Sequence, residues 1–123
     1  MSRNDEPIVV SKAKELAKHT YIITSNSDRY PKKYRHSLGD KIQIKCLDIF
    51  DTLLEANRID NRRNKAERCE AITKAIAYCD ELLFYIELSM EIKLLSDKSA
   101  EYWSGLVKDV KHLSIAWRTS EYK

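Results

Sequence analysis

The sequence predicts an all-α fold: a single domain built as an antiparallel, up-down four-helix bundle. Only two of its 123 residues are glycine and two are proline, which disfavours the many tight turns of a β architecture. Four segments repeat their apolar residues at steps of three and four, the spacing of one helical face. Short polar stretches join these segments, as expected between antiparallel neighbours.

The first helix is predicted from an apolar line that ends in a polar cluster at residues 24–28. Its members are Val9, Ala13, Leu16, Thr20 and Ile23. Pro31 then biases Tyr30 toward an extended conformation and stops the helix from continuing. Residues 1–8 are expected to form a short flexible arm. Because they are polar where a signal peptide would be apolar, a cytoplasmic protein is expected.

The second helix is predicted to begin at Ser37, a favourable N-cap residue, with Asp40 near the positive end of the helix dipole. Its apolar line consists of Leu38, Ile42, Cys46, Ile49, Leu53 and Ala56. The polar residues 57–64 then form a turn.

The third and fourth helices show the most regular spacing. For the third helix, expected over residues 63–95, the apolar line is Cys69, Ile72, Ile76, Cys79, Leu83, Ile86 and Met90. Ser96 or Asp97 is expected to cap the fourth helix, whose line is Trp103, Leu106, Val110, Leu113 and Trp117. The bundle is therefore predicted over residues 9–119, with a polar tail at 120–123.

No pattern of catalytic or metal-binding residues emerges. The three cysteines lie on the apolar lines without a Cys-x-x-Cys pair, which favours a role in the core. A di-iron bundle would need Glu-x-x-His pairs facing inward, and the nearest match, Asp109-x-x-His112, lies off the apolar line. We expect a non-enzymatic protein without metal or cofactor. A metal- or cofactor-binding bundle enzyme, the alternative, would carry iron or a chromophore on purification.

Charge is distributed unevenly along the chain, although the net charge is only +3. Residues 29–45 contain six basic side chains and one acid, whereas residues 80–101 contain six acids and two lysines. Such a dipolar molecule suits either a polyanion-binding face or contacts between subunits. No run approaches the roughly 20 apolar residues that cross a bilayer, so no membrane association is expected.

Basic side chains on rigid helices can follow a phosphate backbone. The predicted nucleic-acid-binding residues are Lys32, Lys33, Arg35, Lys41, Lys45, Arg58, Arg62, Arg63, Lys65, Arg68, Lys108, Lys111 and Arg118. The alternative is a solvated helix surface with local salt bridges, since Glu67 and Glu70 lie among the arginines. Tyr30 and Tyr34 beside the basic loop could stack on bases, but helix packing is the favoured role.

A second set of apolar residues widens the apolar arc of the second and third helices. A monomeric bundle would expose part of that arc, and exposed apolar patches usually mark association. The predicted homo-oligomer interface consists of Leu47, Phe50, Leu54, Tyr78, Leu82 and Tyr85.

Two motifs resemble a group of small bacterial four-helix bundles. They are Tyr30-Pro31-Lys32-Lys33-x-Arg35-x-Ser37-Leu38-Gly39-Asp40-x-Ile42 and Leu54-Glu55-Ala56-Asn57-Arg58; Tyr102, Leu106 and Trp117 agree more loosely. The group includes the accessory variability determinant protein of diversity-generating retroelements. It also includes the protein encoded in intervening sequences of large-subunit ribosomal RNA genes.

This resemblance implies a homopentameric barrel of four-helix bundles. For the accessory protein it also implies binding of template RNA or cDNA and of a reverse transcriptase, in support of mutagenic cDNA synthesis. For the intervening-sequence type it implies an oligomer with a structural or interaction role and no polymerase partner. In both cases Pro31, Leu38 and Gly39 would shape the start of the second helix, and Arg35 would cap or bridge it.

Overall fold

The computed structural model describes residues 7–122, which form four long helices and no strand. The helices are α1 (Ile8–Thr24), α2 (Asp40–Arg58), α3 (Lys65–Glu91) and α4 (Asp97–Ser120). Each helix packs against the next in sequence, and α1 also packs against α4, which closes the bundle. The predicted all-α bundle is therefore confirmed.

The expected arm and tail are only partly within this range. Residues 1–6 and Lys123 lie outside the described residues, Ile8 already belongs to α1, and Ser120 is the last residue of α4. Within residues 7–122, no helix is both long enough and apolar enough to cross a membrane.

The apolar lines predicted for the first two helices are buried at every position. All three cysteines are likewise buried and unpaired, as a core role requires. Burial raises the pKa of the Cys46 thiol to about 11 and that of Cys79 to about 12. Both thiols are therefore protonated at neutral pH and pack as small apolar groups.

The lines predicted for α3 and α4 are shifted by one residue at several positions. In α3 the core takes Ala75, Leu82 and Ser89, whereas the neighbouring Ile76, Leu83 and Met90 are only half-buried. In α4 the core takes Ala100, Val107 and Ser114, whereas Leu106, Leu113 and Trp117 are half-buried. At Ala75, Ser89 and Ser114 the buried side chain is small, and a larger half-buried neighbour lies beside it.

Tyr30 explains why a serine occupies a core position of α3. Its side chain is fully buried, and its hydroxyl donates a hydrogen bond to Ser89 Oγ at 2.8 Å. Ser89 Oγ in turn donates to the Tyr85 carbonyl at 2.9 Å. Tyr30 is thus a helix-packing anchor, the role that the sequence favoured over base stacking.

The start of the second helix differs from its prediction. Pro31 is extended (φ −64°, ψ 164°), and helical structure begins directly after it with Lys32–Tyr34. A π-helical turn, Arg35–Gly39, then runs into α2. Ser37 lies within this turn and donates to the Lys33 and Tyr34 carbonyls, so its prediction as N-cap is wrong. Proline had already set the helix start five residues earlier.

The connection from α3 to α4 is tight. Lys93 has a positive φ of 71° and follows the C-cap Ile92. The amides of Leu94 and Lys93 bond back to the Ser89 and Met90 carbonyls, the two bonds of a Schellman motif. This motif ends α3 at Glu91, earlier than expected, so its 27 residues span about 40 Å. Ser96 Oγ then caps α4 by accepting the Ser99 amide at 3.1 Å.

Candidate nucleic-acid interface

The up-down arrangement places most of the predicted basic residues in two groups at opposite ends of the bundle. The turn end holds the last residues of α2 and α4 and the first residues of α3. The lead-in end holds residues 25–39 and the start of α2. Since α2 has 19 residues, the two ends lie about 28 Å apart.

At the turn end, four basic side chains lie within eight residues of sequence. They are Arg58, Arg62, Arg63 and Lys65, here called the basic turn. All four residues are exposed, and none forms an ion pair with any residue in the described range. The basic turn therefore presents an open concentration of positive charge to solvent.

The backbone of this turn is held by Asp60, the one acid within residues 58–65. Asp60 Oδ1 accepts the Arg62 amide at 2.9 Å, and the Asp60 carbonyl accepts the Asn64 amide at 2.8 Å. Its carboxylate thus forms an Asx-type turn with the backbone. Because this acid makes a backbone bond rather than an ion pair, it shapes the turn without pairing the arginines.

The helix that follows adds to the positive character of the turn end. Asn64 precedes α3 but forms no capping hydrogen bond through its side chain. The first amides of α3 therefore carry the positive end of the helix dipole toward solvent. Glu67, the acid in the first turn of α3, offsets part of this charge.

Arg68 lies at the same end but is engaged inside the protein. Its Nε lies 2.9 Å from Glu121 Oε1, and the two side chains are only 14% and 8% exposed. The guanidinium also stacks 4.9 Å from the Trp117 ring, and Asn61 Nδ2 donates to Glu121 Oε2 at 3.1 Å. We call these four residues the Arg68 network. Because the Arg68 side chain is enclosed, we assign it the role of fastening α4 against α3. The prediction that Arg68 contacts phosphate is corrected accordingly.

Two further predicted contact residues are paired across helix seams. Lys45 Nζ lies 3.1 Å from Glu81 Oε2 and 4.5 Å from the Tyr78 ring. Lys111 Nζ lies 2.7 Å from Asp80 Oδ1. These pairs match the alternative of local salt bridges, because each lysine faces an acid on α3.

The two remaining predicted contact residues of α4 differ in their surroundings. Arg118 Nη1 donates to Thr73 Oγ1 at 3.0 Å on the surface, near the turn end. Lys108 is exposed near the middle of the helix, beside Glu87 and Glu101. Lys108 is therefore separate from the basic turn, which lies at one end of the bundle.

At the opposite end, the lead-in cluster consists of Lys32, Lys33, Arg35 and Lys41. Arg35 Nε donates to the Tyr30 carbonyl at 3.4 Å, which is the bridging role that the family resemblance implied. Lys33 Nζ lies 5.4 Å from the Tyr34 ring, while Lys32 and Lys41 are exposed. This cluster is a second basic surface, with three of its four basic residues exposed.

The predicted oligomer-interface residues lie on α2 and α3, and we call them the predicted interface set. Leu47 is 39% exposed, and Phe50, Leu54, Tyr78 and Tyr85 are half-buried. Leu82 is fully buried in the chain's own core, so its prediction as an interface residue is wrong. It occupies the core position that the sequence had given to Leu83.

The sequence analysis did not include Ile44 in this interface. Its side chain is 59% exposed on α2. It lies three residues before Leu47, so the same helical spacing could have identified it.

Acidic side chains do not form a metal site in the part of the chain that the structure covers. No group of three or more His, Cys, Asp or Glu residues there is arranged to hold a metal ion.

A protein of known structure has a similar fold. No model of a known protein family matches the chain, and no curated protein matches it in sequence. The chain is similar to the crystal structure of a protein with unknown function from the S23 ribosomal protein family of Bacteroides thetaiotaomicron VPI-5482. The TM-score is 0.81 at 14% sequence identity, over 94% of this chain and 98% of the other. This likeness concerns the fold alone.

Proposed function

We propose that this chain is a non-enzymatic, oligomeric RNA-binding bundle that contacts RNA phosphates through the basic turn. The observation that carries the proposal is the group of four exposed basic side chains without an ion-pair partner in the described range. The backbone bonds of Asp60 hold the turn in shape, so RNA binding would not have to order it first.

Contacts with phosphate carry no direct sequence information. We therefore expect binding with little sequence preference and a strong dependence on salt. If all four side chains of the basic turn neutralise phosphates, the logarithm of the affinity falls with the logarithm of salt at a slope of about −3 for a single strand. That slope corresponds to a loss of roughly 50-fold between 50 and 200 mM salt.

The test compares two double variants with the same change in net charge. Arg62→Glu with Arg63→Glu inverts charge at the basic turn, and Lys32→Glu with Lys33→Glu does so at the lead-in cluster. Fluorescence anisotropy with a labelled 20-nucleotide RNA measures affinity, and circular dichroism checks helicity. We expect at least about a tenfold loss for the first variant and a much smaller loss for the second. Equal losses would refute the proposal, because binding would then follow net charge rather than the basic turn.

The oligomeric part of the proposal rests on exposed apolar residues of α2. Ile44 and Leu47 of α2 are apolar and exposed, and the half-buried Phe50 lies one turn from Leu47, an arrangement typical of association surfaces. A pentamer, which the family resemblance implies, would bring five basic turns into one particle. Repeated weak phosphate contacts then strengthen one another.

Sedimentation velocity tests this assembly with a matched pair of variants. Leu47 and Ile92 are equally exposed at 39%, but only Leu47 belongs to the predicted interface set. We expect Leu47→Glu to shift the protein toward monomer and Ile92→Glu to leave it unchanged. A wild-type protein that sediments as a monomer at micromolar concentration would remove the oligomer from the proposal.

A more specific role follows from the two family branches. The motif at residues 30–42 supports an accessory protein of a diversity-generating retroelement, which would bind template RNA or cDNA and a reverse transcriptase. The acidic side chains at the end of α3 and start of α4, among them Glu87, Glu91 and Glu101, would offer the polymerase a surface separate from the basic turn.

The alternative is an oligomer of the ribosomal-intervening-sequence type. The S23 ribosomal family named for the similar structure supports this alternative. Purification from the native host, with identification of bound protein and RNA, separates the two. A reverse transcriptase in the complex supports the accessory role, and RNA without a polymerase supports the alternative.

A further inference from the structure

A groove between α1 and α4 at the lead-in end has the size of a small-molecule site. Its volume is about 460 Å³, and it lies between the second half of α1 and the first turns of α4. Ile22, Ile23 and Tyr102 are its large apolar lining residues. Ile22 and Tyr102 are 62% and 61% exposed, which is unusual for two large side chains that share a concave surface.

The groove also has positively charged lining residues. Arg29 and Lys98 line it, and Arg29 Nη1 donates to Ser99 Oγ at 2.9 Å. This bond orients the guanidinium while leaving its other donors available. Asp97 and Glu101 lie on the same turns of α4, but neither is among the residues that line the groove. A fixed guanidinium beside a lysine is a favourable site for a carboxylate.

A histidine forms part of the groove wall and contacts the aromatic residues around it. The His19 ring lies edge-on to Tyr102 at 5.1 Å and to Trp103 at 6.2 Å between centroids. Its Nε2 atom is buried without a hydrogen-bond partner in the described range. Burial, and then the charge of Arg29, lower the pKa of His19, so the ring is neutral at pH 7. A neutral imidazole adds apolar surface to the groove.

We propose that this groove binds a small carboxylate with an aromatic or apolar body. The carboxylate would lie on Arg29 and Lys98, and the body would lie against Ile22 and Tyr102. The groove thus offers cationic groups to the carboxylate and apolar side chains to the body of the ligand. The groove is at the end of the bundle opposite to the basic turn, so this site is independent of the proposed RNA contact.

The probe is 3-phenylpropionate, and 3-phenylpropanamide is its uncharged control. Isothermal titration calorimetry measures affinity, and NMR follows the imidazole protons of His19. We expect the carboxylate to bind at least about tenfold more tightly than the amide, because only the carboxylate forms charge-assisted hydrogen bonds. The bound anion should also raise the pKa of His19, since it offsets the Arg29 charge.

Variants locate the site. Arg29→Gln and Lys98→Gln should each weaken binding of 3-phenylpropionate by about tenfold, whereas Lys32→Gln should leave it unchanged. Arg29→Gln also loses the bond to Ser99 and could disturb residues 25–30. Lys98 is exposed and has no ion pair in the described range, so its variant tests the charge alone.

Equal affinity for acid and amide, or an unchanged His19 pKa at saturation, would overturn the proposal. A lack of saturable binding at 10 mM 3-phenylpropionate would also overturn the proposal. This holds even if another subunit covers the groove, because the groove would then not be a binding site in the assembled protein. Binding of RNA by the same samples is measured separately and reports only on the basic turn.

Discussion

The hydrogen bond between Tyr30 and Ser89 should show strong energetic coupling, because both groups are buried and each depends on the other. Ser89→Ala removes the acceptor and leaves the Tyr30 hydroxyl buried without a partner, since Ser89 is the partner it has at 2.8 Å. An unsatisfied buried polar group costs about 1–3 kcal/mol. Alanine favours the helix by about 0.5 kcal/mol over serine, so the expected net loss is about 1–2 kcal/mol.

Tyr30→Phe alone should cost about 1 kcal/mol, because Ser89 keeps its bond to the Tyr85 carbonyl. The double variant has no orphaned hydroxyl at all. It should therefore be about 1–2 kcal/mol more stable than the sum of the single variants predicts. For 123 residues, 1 kcal/mol corresponds to roughly 4 °C in Tm.

Urea denaturation followed by circular dichroism at 222 nm measures these free energies of unfolding. All variants need the same protein concentration, because association would add to the apparent stability. Tyr30→Phe with Thr52→Ala is the control pair. Thr52 Oγ1 bonds only carbonyls of its own helix in the described structure, far from Tyr30, so these two effects should add. Additivity within about 0.3 kcal/mol for Tyr30 and Ser89 would refute the reasoning.

Three further predictions concern stability and reactivity. Lys93→Gly should stabilise the fold by about 0.5–1 kcal/mol in urea denaturation, because glycine adopts the positive φ of this position without strain; a destabilised variant would contradict this. The lowered pKa of His19 means that the unfolded chain binds its proton more readily, so stability should be complete above pH 6.5 and fall as the pH drops below that value. His19→Gln should flatten that decline between pH 7 and 5, and an unchanged profile would count against it. The raised pKa values and burial of Cys46 and Cys79 should make both thiols resist iodoacetamide in the folded protein, with full alkylation in urea by mass spectrometry.

The sequence predicts the core of α1 and α2 well because a clearly apolar residue, or a threonine in register, stands at nearly every buried position. It fails in part for α3 and α4. At Ala75 and Ser89 the core takes small residues, and the larger Ile76 and Met90 lie beside them. A search for apolar periodicity favours large apolar residues, so it selects Ile76 and Met90 instead of Ala75 and Ser89. The burial of Ser89 also depends on Tyr30, which is 59 residues away in sequence.

The residues of the candidate site are likewise predicted only in part from the sequence. All thirteen basic residues look alike in sequence, but the structure gives Lys45, Lys111 and Arg68 acidic partners. Those partners lie on or directly after other helices, at spacings that no local pattern reveals. The four residues of the basic turn remain open because the acid among them, Asp60, bonds the backbone.

The Arg68 network has a practical consequence for any measurement of binding. Added salt weakens contacts between exposed charges but screens an enclosed pair much less. The Arg68–Glu121 pair and its aromatic cover should therefore keep the scaffold beneath the basic turn in one shape across the whole salt range. The change in RNA affinity with salt then measures the release of counterions. It does not include a change in the shape of the scaffold that holds the basic turn.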